Sequence, residues 1–506
     1  MSNMNKVILS LLIFFTFQPK ESFTNNINNE EETKMVDGIF REYDIRGIVG
    51  KELDLNEVEN LTKALVSYFL KNSPDLSTII VGMDGRTHSP IIKEKIIDTV
   101  TKLGINVIDI GLCPTPVFYF SLFNTKATSG FMVTASHNPG KYNGIKISLG
   151  KNNVWGKQIQ EVKKIYHDIR DKKLDVIPIG EKGKIETYDA ISSYVDWISE
   201  HFKHLIGSEV NAVFDCGNGT AGPTIEKLIE KMNFKNTKVL FSEVDGTFPN
   251  HEADPTKPEN MKTVKQVLKD ENLYAVGVGF DGDSDRMNPM TKSGYLVPGD
   301  KLLAIYSKNL TYEENHKIVF DIKSSHAPME YLRNKGLTPI LSPSGHSLIK
   351  ENMKKSGAIL AGELSCHFFF KDRYFGYDDA IYAALRLLEI LNETQKSLDE
   401  LLEDIPFMIN SPEYRIDCDE DKKVEITNHV KENLGNQKDF DLITIDGVRA
   451  QSSYGWGLIR PSNTQPAICL RFESNTQEGL NKIKENFINL LTPYICKETL
   501  MEHFEN

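Results

Sequence analysis

Short apolar runs alternate with segments of helical periodicity along most of this 506-residue chain. Residues 77–81, 212–214, 276–280 and 317–320 are apolar runs that predict buried strands. Apolar residues at helical spacing follow the first run and predict a helix with one side in the core: Ile91, Ile92, Ile96, Ile97 and Val100. A second helix is expected from about Pro223. This alternation of strands and helices indicates an α/β fold.

Three of the predicted strands lead to an aspartate, at Asp84, Asp215 and Asp321. A triplicated α/β unit would produce this pattern, although the units are too dissimilar in sequence to establish repetition. Residues 217–219, Gly-Asn-Gly, follow the second of these strands but lack the GxGxxG spacing and the Walker lysine. A strand-to-helix turn therefore explains them better than a nucleotide site, and the ATP site that a kinase needs is not visible.

Length and composition indicate a multidomain globular protein. A chain of this length exceeds a single core, so three or four domains are expected, and 40% hydrophobic with 26% charged residues is typical of a soluble protein. The net charge of −12 argues against nucleic acid as a partner. The six cysteines lack CxxC spacing, so neither zinc nor a disulfide framework is indicated, and a reducing cytoplasm fits.

The N-terminus does not fit this picture. Lys6 precedes an apolar run over residues 7–17, which has the length of a signal-peptide core and is too short to span a bilayer. No clear small-x-small cleavage site follows, and Met35 stands just before the first predicted element. We therefore treat residues 1–34 as an extension outside the fold, either disordered, signal-like or the result of a misplaced start, and expect a cytoplasmic protein without membrane contact.

Two distant segments fit one chemistry together. Residues 134–139, TASHNP, place a hydroxyl among small and polar residues, and residues 281–286, DGDSDR, hold three alternate carboxylates after an apolar strand. Close carboxylates repel one another unless a hard cation lies between them, and Mg²⁺ prefers such ligands together with phosphate oxygens. A phosphorylated serine beside carboxylate-bound Mg²⁺ is the joint interpretation, and phosphoryl transfer is the resulting hypothesis.

Simpler interpretations remain for each segment. Asn138-Pro139 is itself a turn signal, so the first segment can be a structural turn. The second can be a solvated acidic turn, but it is not an EF-hand loop, which needs Gly at position 6 and Glu at position 12, where this chain has Arg286 and Lys292.

Four loops in order resemble the α-D-phosphohexomutase family, and most of all its bacterial phosphomannomutase/phosphoglucomutase branch. Besides the two segments above, residues 362–367, GELSCH, resemble the family's sugar-recognition loop, and residues 460–466, RPSNTQP, resemble its phosphate-binding loop. Residues 40–47, FREYDIRG, and 344–350, SGHSLIK, agree as well. The resemblance extends from about Ile39 to about Ile483.

The resemblance implies an α/β fold with three related α/β domains plus a smaller C-terminal α+β domain around a central cleft. We expect domain 1 at 35–183 with the phosphoserine loop and domain 2 at 184–295 with the metal loop. Domain 3 is expected at 296–406 with the sugar-recognition loop, and domain 4 at 407–506 with the phosphate-binding loop.

The resemblance also implies roles for individual residues. The catalytic group is Ser136, which carries the phosphoryl group, with His137, Lys146, Arg46, Arg286 and His367. Ser136, Asp281, Asp283 and Asp285 are the expected metal ligands. The expected substrate-binding residues are Tyr43, Lys323, His346, Glu363, Ser365, Arg460, Ser462, Asn463 and Thr464. Histidine is the easier proton carrier near neutral pH, since Lys146 would need a pKa lowered by neighbouring positive charge.

The implied activity is a Mg²⁺-dependent transfer of phosphate between C1 and C6 of mannose or glucose, with glucose 1,6-bisphosphate or mannose 1,6-bisphosphate as intermediate and activator. The implied partners are sugar phosphates, for a monomer or weak dimer. A phosphoglucosamine mutase, a phosphatase and a catalytically weak sugar-phosphate-binding protein are the alternatives. Two departures bear on them: Cys366 replaces an expected glycine, and Pro289 predicts a strand that is interrupted or at a sheet edge.

Overall fold

The computed structural model describes residues 35–310, 315–462 and 466–505. The interpretation of residues 1–34, and the roles expected for Asn463 and Thr464, concern positions outside these ranges. In the described part of the chain, every helix is too short or too polar to cross a bilayer. All six cysteines are free thiols.

The first sheet has the order β1-β5-β4-β2-β3-β7, with β6 paired to β5. Its elements are β1 (Ile45–Ile48), α1 (Val58–Asn72), β2 (Thr78–Met83), α2 (Ser89–Lys102), β3 (Asn106–Leu112), α3 (Thr115–Asn124), β4 (Gly130–Val133), β5 (Tyr142–Leu149), β6 (Asn152–Asn153), α4 (Lys157–Arg170) and β7 (Ile185–Thr187). The predicted strand and helix over residues 77–100 are confirmed as β2 and α2. Ile91 was wrongly expected in the core, because it turns away from the face formed by Ile92 and Ile96 and is 43% exposed.

The second sheet has the order β11-β10-β8-β9. Its segment contains α5 (Ala190–His201), β8 (Asn211–Asp215), α6 (Ala221–Met232), β9 (Asn236–Leu240), α7 (Lys262–Asp270), β10 (Val276–Phe280) and β11 (Met287–Thr291). Residues 217–219 form the predicted turn between β8 and α6. Pro289 lies in β11, which is an edge strand, so its missing N–H removes no bond from the sheet interior.

The third sheet has the order β13-β12-β14-β15. Its segment contains α8 (Gly299–Tyr306), β12 (Lys317–Asp321), α9 (His326–Asn334), β13 (Thr338–Ser342), α10 (His346–Ser356), β14 (Leu360–Gly362), β15 (Phe368–Phe370), α11 (Ala380–Thr394) and α12 (Leu398–Leu402). One buried apolar cluster continues from this segment into the first two, joining Met132, Phe214 and Leu303.

The fourth sheet is antiparallel, with the order β16-β21-β20-β19-β18 and with β17 paired to β21. Its elements are β16 (Ile409–Asn410), β17 (Tyr414–Asp417), α13 (Lys422–Gly435), β18 (Asp441–Ile443), β19 (Val448–Ser452), β20 (Gly455–Pro461), β21 (Ala467–Ser474), α14 (Gln477–Leu491) and α15 (Lys497–Glu505). It has its own apolar core. The expected smaller α+β domain is therefore confirmed.

The first three sheets share one strand order. In each, a central strand (β2, β8 or β12) pairs in parallel on both sides, and the parallel strand on one side (β4, β10 or β14) pairs with an antiparallel strand that follows it in the chain. The loop between these last two strands holds residues 134–141 in the first sheet, 281–286 in the second and 363–367 in the third. Three related α/β domains are thus confirmed, and each presents its functional loop from the same topological position.

Candidate active site

A residue with left-handed backbone occurs in each of the three functional loops. These are Ser136, Ser284 and Cys366, with φ of 50°, 63° and 67°. In each loop a backbone hydrogen bond closes a four-residue turn, from Asn138 N to Ala135 O, from Ser284 N to Asp281 O and from Cys366 N to Glu363 O. Left-handed backbone favours glycine, which explains why a glycine was expected at position 366.

Ser136 is buried and its hydroxyl faces the metal loop. Its Oγ donates to Asp281 Oδ2 at 2.8 Å and lies 3.3 Å from His137 Nδ1. Its backbone N donates to Thr134 Oγ1 at 2.9 Å, which fixes the turn. The predicted phosphorylation site and the predicted metal site therefore meet at one hydrogen bond.

Arg86 binds the backbone of the expected phosphoserine loop, a role that was not predicted from the sequence. The guanidinium is fully buried and pairs with the carboxylate of Asp84 at 3.0 Å. It also donates to four backbone carbonyls, those of Ser136 at 2.7 Å, Asn138 at 2.5 Å, Pro139 at 2.8 Å and Tyr142 at 3.1 Å. In the sequence, only its position two residues after Asp84, the aspartate that follows β2, suggests that Arg86 has this role.

The carboxylates of Asp281, Asp283 and Asp285 converge. All three are buried, and one oxygen of each lies within 4.8 Å of the others. Asp283 Oδ1 makes no hydrogen bond among the described residues, and the only contact given for Asp285 Oδ1 is an ion pair with His367 Nε2 at 3.4 Å. Unsatisfied anionic oxygens are costly in a buried site, and hard oxygen ligands suit Mg²⁺, so the donor set fits this ion.

Lys146 and two threonines organise the carboxylates. Lys146 Nζ lies 2.9 Å from Asp283 Oδ2 and also binds Asp285 Oδ2. Thr115 Oγ1 and Thr134 Oγ1 donate to Asp283 Oδ2 at 2.6 and 3.1 Å. Burial lowers the pKa of Lys146, but the two carboxylates outweigh it and raise the pKa well above 10.5. The lowered pKa that a base at this position would need is therefore absent.

Repulsion among the three carboxylates acts mainly on the pKa of Asp281. Burial, together with Asp285 and Asp283, raises the pKa of Asp281 well above 3.8. Asp285 has the opposite direction, because Lys146 and His367 outweigh the effect of burial and hold its pKa well below 3.8. A divalent cation among the three oxygens would remove the repulsion that Asp281 feels.

His367 joins the sugar loop to the metal loop. Its Nδ1 lies 3.0 Å from Glu363 Oε2 and its Nε2 3.4 Å from Asp285 Oδ1. Arg286 Nε lies 3.2 Å from the same Nε2 and, with burial, favours the neutral ring. The two carboxylates prevail and raise the pKa of His367 to about 9. Ser365 Oγ is 3.3 Å from Nδ1.

The residues around Ser136 and the three carboxylates form an inner group, which also contains His137, His346 and Arg46. Burial and nearby cations lower the pKa of His137 and of His346 well below 6.5, so both rings are neutral at pH 7. Arg46 Nη1 donates to Asn138 Oδ1 at 2.6 Å, beside the phosphoserine turn. Every residue predicted for catalysis therefore lies around Ser136 and the carboxylates.

A second group of cations lies where domains 1, 3 and 4 meet. Lys323 Nζ is 3.1 Å from Glu413 Oε2, and Arg460 Nε donates to Asp446 Oδ2 at 2.9 Å. Asp446 Oδ2 also accepts from Ser344 N at 3.1 Å, and Tyr43 Oη donates to Ser344 O at 2.7 Å. No sequence pattern marked Glu413 and Asp446 as part of the site, because they are isolated acidic residues in the sequence and meet these partners only in the folded protein.

Ser462 and Glu363 border this second group from the two sides. Ser462 N donates to Ala467 O at 2.8 Å, which sets the start of the phosphate-binding loop. Glu363 Oε1 accepts from Gly345 N at 2.7 Å, next to His346. The predicted substrate residues within the described ranges thus extend from the inner group to Arg460.

Comparison with known proteins agrees with this geometry. Family models described as phosphoglucomutase/phosphomannomutase alpha/beta/alpha domains I, II and III match residues 37–173, 192–294 and 298–407, and the model of the C-terminal domain matches residues 413–490. The phosphomannomutase/phosphoglucomutase of Pseudomonas aeruginosa is 38% identical over 454 residues, which cover 90% of this chain and 95% of that protein.

Two further relatives extend the comparison. The phosphoglucomutase of Neisseria gonorrhoeae is 37% identical over 454 residues, covering 89% of this chain and 95% of its own. A crystal structure of a phosphoglucomutase/phosphomannomutase family protein from Burkholderia thailandensis superposes with a TM-score of 0.80 at 33% identity, covering 91% of this chain and 98% of its own. This chain therefore belongs to the phosphoglucomutase/phosphomannomutase family and is a phosphotransferase of the mutase type.

Proposed function

We propose that this mutase carries the transferred phosphoryl group on Ser136 and moves it between C1 and C6 of a hexose through a bisphosphorylated sugar. The observation that supports this route is the 2.8 Å hydrogen bond from Ser136 Oγ to Asp281, beside Asp283, whose Oδ1 has no hydrogen bond among the described residues. Ser136 and the three aspartates would hold Mg²⁺, which when bound neutralises charge on the transferring phosphoryl group.

The transfer itself needs positioning more than strong bases. The sugar hydroxyl attacks phosphorus while the bond from phosphorus to Ser136 Oγ breaks, and the second transfer reverses this at the other end of the sugar. The transition state is loose, so the hydroxyl proton leaves late and charge stabilisation dominates. Protonated Lys146 and Arg286 supply positive charge, and Arg46 and His137 orient the serine. The hydroxyl proton ends on Ser136 Oγ as its bond to phosphorus breaks, and His367, whose pKa of about 9 keeps it protonated at pH 7, can donate a proton on the sugar side.

The second group of cations holds the phosphate that does not react. Arg460 can donate in bidentate fashion and Lys323 adds a point charge, while Ser462, Asn463 and Thr464 add short donors. Before substrate arrives, Lys323 forms an ion pair with Glu413 and Arg460 forms one with Asp446. A phosphate therefore exchanges with existing carboxylate partners, which permits release when the intermediate turns around.

Turning the sugar restricts what the site can recognise. Hydroxyls O3 and O4 lie opposite the axis that exchanges C1 and C6, and they can reach Glu363 and Ser365 in either orientation. O2 changes sides when the sugar turns. We therefore expect weak discrimination at C2 and turnover of both glucose and mannose phosphates.

The substrate test compares kcat/KM for glucose 1-phosphate, mannose 1-phosphate and glucosamine 1-phosphate. We expect the two C2 epimers to differ by less than about 1,000-fold, roughly 4 kcal/mol of transition-state discrimination. A larger preference would refute weak recognition at C2. A clear preference for glucosamine would identify a phosphoglucosamine mutase instead.

The phosphoserine test uses intact-protein mass and turnover. The wild type should carry one phosphate that excess hexose monophosphate removes and glucose 1,6-bisphosphate restores, as expected of an activator. Ser136→Ala should lose the phosphate and at least about 1,000-fold in kcat, because the two other hydroxyls described at these carboxylates, those of Thr115 and Thr134, are both engaged with Asp283 Oδ2. Ser148→Ala, a buried serine of β5, is the matched control and should behave as wild type.

Three outcomes would contradict the proposal. Turnover close to wild type in Ser136→Ala would remove the phosphoserine from the mechanism. Release of inorganic phosphate at the rate of turnover would indicate a phosphatase. Hexose phosphate binding without any turnover would indicate a sugar-phosphate-binding protein. Because hexose phosphates are intracellular metabolites, we also place the reaction in the cytoplasm, performed by a monomer or weak dimer.

A further inference from the structure

A large cavity lies between domains 1 and 3, apart from the functional loops. Its volume is about 1410 Å³, and it is bordered by α3, the segment from β5 to the start of α4, α10 and the loop after β15. None of residues 281–286, 362–367 or 460–462 lines it. Pockets for small molecules commonly have volumes of about 300–1,000 Å³, so this one has room for a ligand larger than a hexose phosphate.

The charge of the cavity is opposite to that of the protein. Its lining contains two glutamates and six lysines: Lys151, Lys157, Lys350, Lys354, Lys355 and Lys371. Lys350 pairs with Asp378 and Lys355 with Glu351, whereas the other four lysines form no ion pair with the described residues. Four unneutralised cations around one cavity, in a chain of net charge −12, indicate a site for an anion with several charges.

Aromatic rings form one wall of the same cavity. Phe123 and Phe375 lie 4.7 Å apart between ring centroids, and the ring of Tyr377 is parallel to that of Phe375 within 2°. Lys151 Nζ sits 4.6 Å from the centroid of Phe123, over the ring and without a carboxylate partner. A planar ring can take the place of Lys151 over Phe123, and the displaced lysine can then reach an anionic group attached to that ring.

The N-terminus of α4 also opens into the cavity. Gly156 precedes this 14-residue helix with φ of 56° and no side-chain cap, and Glu42 Oε1 lies 3.1 Å from the position that a Cβ at Gly156 would take, so a phosphate here must displace that carboxylate. Gly156, Lys157 and Gln158 line the cavity. A helix N-terminus attracts phosphate groups through its backbone N–H groups and dipole, so it adds to the lysines a third feature that favours the same ligand.

We propose that this cavity is a second ligand site and that it binds a nucleoside diphosphate, with the base against Phe123 and Phe375 and the phosphates between the lysines and the start of α4. The mutase reaction itself needs no nucleotide, so the site is regulatory. Its ligand would bridge domains 1 and 3, which already contact here through Asn153 Nδ2 and Ser347 Oγ at 3.3 Å.

Lys350 connects this cavity to the active site. It lies one turn after His346 on α10, so the two side chains share a face of the helix. Lys350 Nζ binds Asp378 Oδ1 at 2.9 Å, and Asp378 lies within 4.8 Å of ligand atoms of His346 and His367. A phosphate that draws Lys350 away from Asp378 would change the charge beside both histidines. We therefore expect the nucleotide to lower mutase turnover.

Binding is tested by calorimetry on the phosphorylated enzyme in Mg²⁺ buffer, with ADP, GDP, inorganic pyrophosphate and adenosine as probes. ADP and GDP should bind with Kd on the order of 0.1 mM, and pyrophosphate and adenosine at least about tenfold more weakly, because each carries only half of the recognised features. The double variant Lys151→Gln, Lys354→Gln should lose at least tenfold in affinity for ADP while keeping its basal kcat and its urea midpoint.

The matched control is Lys482→Gln, which removes an exposed lysine that sits 4.1 Å from the centroid of Tyr454, in domain 4. It should bind ADP as the wild type does. An apparent Kd for ADP that rises in proportion to glucose 1-phosphate without reaching a plateau would place ADP in the active site and overturn the proposal, whereas a rise to a plateau is the reciprocal coupling between two sites. Absence of binding at 5 mM ADP, or equal affinity for pyrophosphate and ADP, would also overturn it. Binding of ADP with unchanged turnover would overturn the regulatory role.

Discussion

The expected metal loop and the expected sugar loop occupy the same position in two related sheets but surround their carboxylates differently. Residues 281–286 connect β10 to β11, and residues 363–367 connect β14 to β15. Both turn through one left-handed residue, Ser284 or Cys366. They even touch, through a β-bridge between Arg286 and His367. The shared backbone therefore fixes where a functional group is presented, and the side chains alone decide its chemistry.

The difference lies in how each loop satisfies its carboxylates. In the sugar loop, both oxygens of Glu363 have partners, Gly345 N at 2.7 Å and His367 Nδ1 at 3.0 Å. In the metal loop, Asp283 Oδ1 has no hydrogen bond among the described residues, and Asp285 Oδ1 has only the longer ion pair with His367 Nε2 at 3.4 Å. Under the proposed function, this difference suits Glu363 to neutral sugar hydroxyls and the three aspartates to a cation.

The largest effect is expected in the metal loop. Asp283→Asn should lower kcat by about 100- to 1,000-fold while changing KM less than about threefold, because it removes charge that acts on the transferring group rather than on the resting sugar. EDTA should inactivate the wild type reversibly. Steady-state kinetics across a Mg²⁺ titration measures both, and the variant should need more Mg²⁺ for half-maximal rate.

The control for this change is Asp270→Asn, which alters an exposed aspartate at the end of α7 in the same domain. Its kinetics should match the wild type. Full activity of the wild type after exhaustive chelation, or of Asp283→Asn at low Mg²⁺, would show that the converging carboxylates do not serve a metal.

A smaller effect is expected in the sugar loop. Glu363→Gln should lower kcat/KM by about 10- to 30-fold, chiefly through KM, because Gln accepts hydrogen bonds from sugar hydroxyls more weakly than a carboxylate does. The Mg²⁺ dependence should change much less than in Asp283→Asn, because Glu363 reaches the carboxylates of the metal loop only through His367. A fall in kcat with constant KM would contradict the assignment of Glu363 to sugar binding.

The sequence predicted features that lie within one contiguous segment, and it did not predict contacts between distant segments. The four loops could be found because each is a contiguous segment with distinctive chemistry, and the alternating pattern predicted the strands that lead to them. Arg86, Thr115 and Asp446 could not be found, because their partners lie 50, 168 and 102 residues away in the chain and the contacts exist only after packing. The same holds for the pKa of Lys146, which depends on two carboxylates from another domain.

The smallest effect on stability is expected from changing the two left-handed residues, Ser284 and Cys366. Their side chains make different contacts, so the two changes compare the loops directly. Ser284 Oγ hydrogen-bonds Thr220 Oγ1 at 3.1 Å, whereas the nearest polar contact of Cys366 is a weak one, from Sγ to Leu364 O at 3.7 Å. Glycine relieves the left-handed strain of about 1 kcal/mol at either position. It also increases the freedom of the unfolded chain by a comparable amount, so the two terms nearly cancel. Cys366→Gly should therefore lower the free energy of unfolding by about 1 kcal/mol, for the loss of a thiol that is 1% exposed in the apolar core, and Ser284→Gly should lose about 1 kcal/mol more, for the broken hydrogen bond. Urea denaturation of the two variants measures this, and mutase turnover should remain near wild type in Cys366→Gly. A loss of turnover above about tenfold in that variant, with stability retained, would show that the thiol takes part in sugar recognition and is not merely tolerated where glycine was expected.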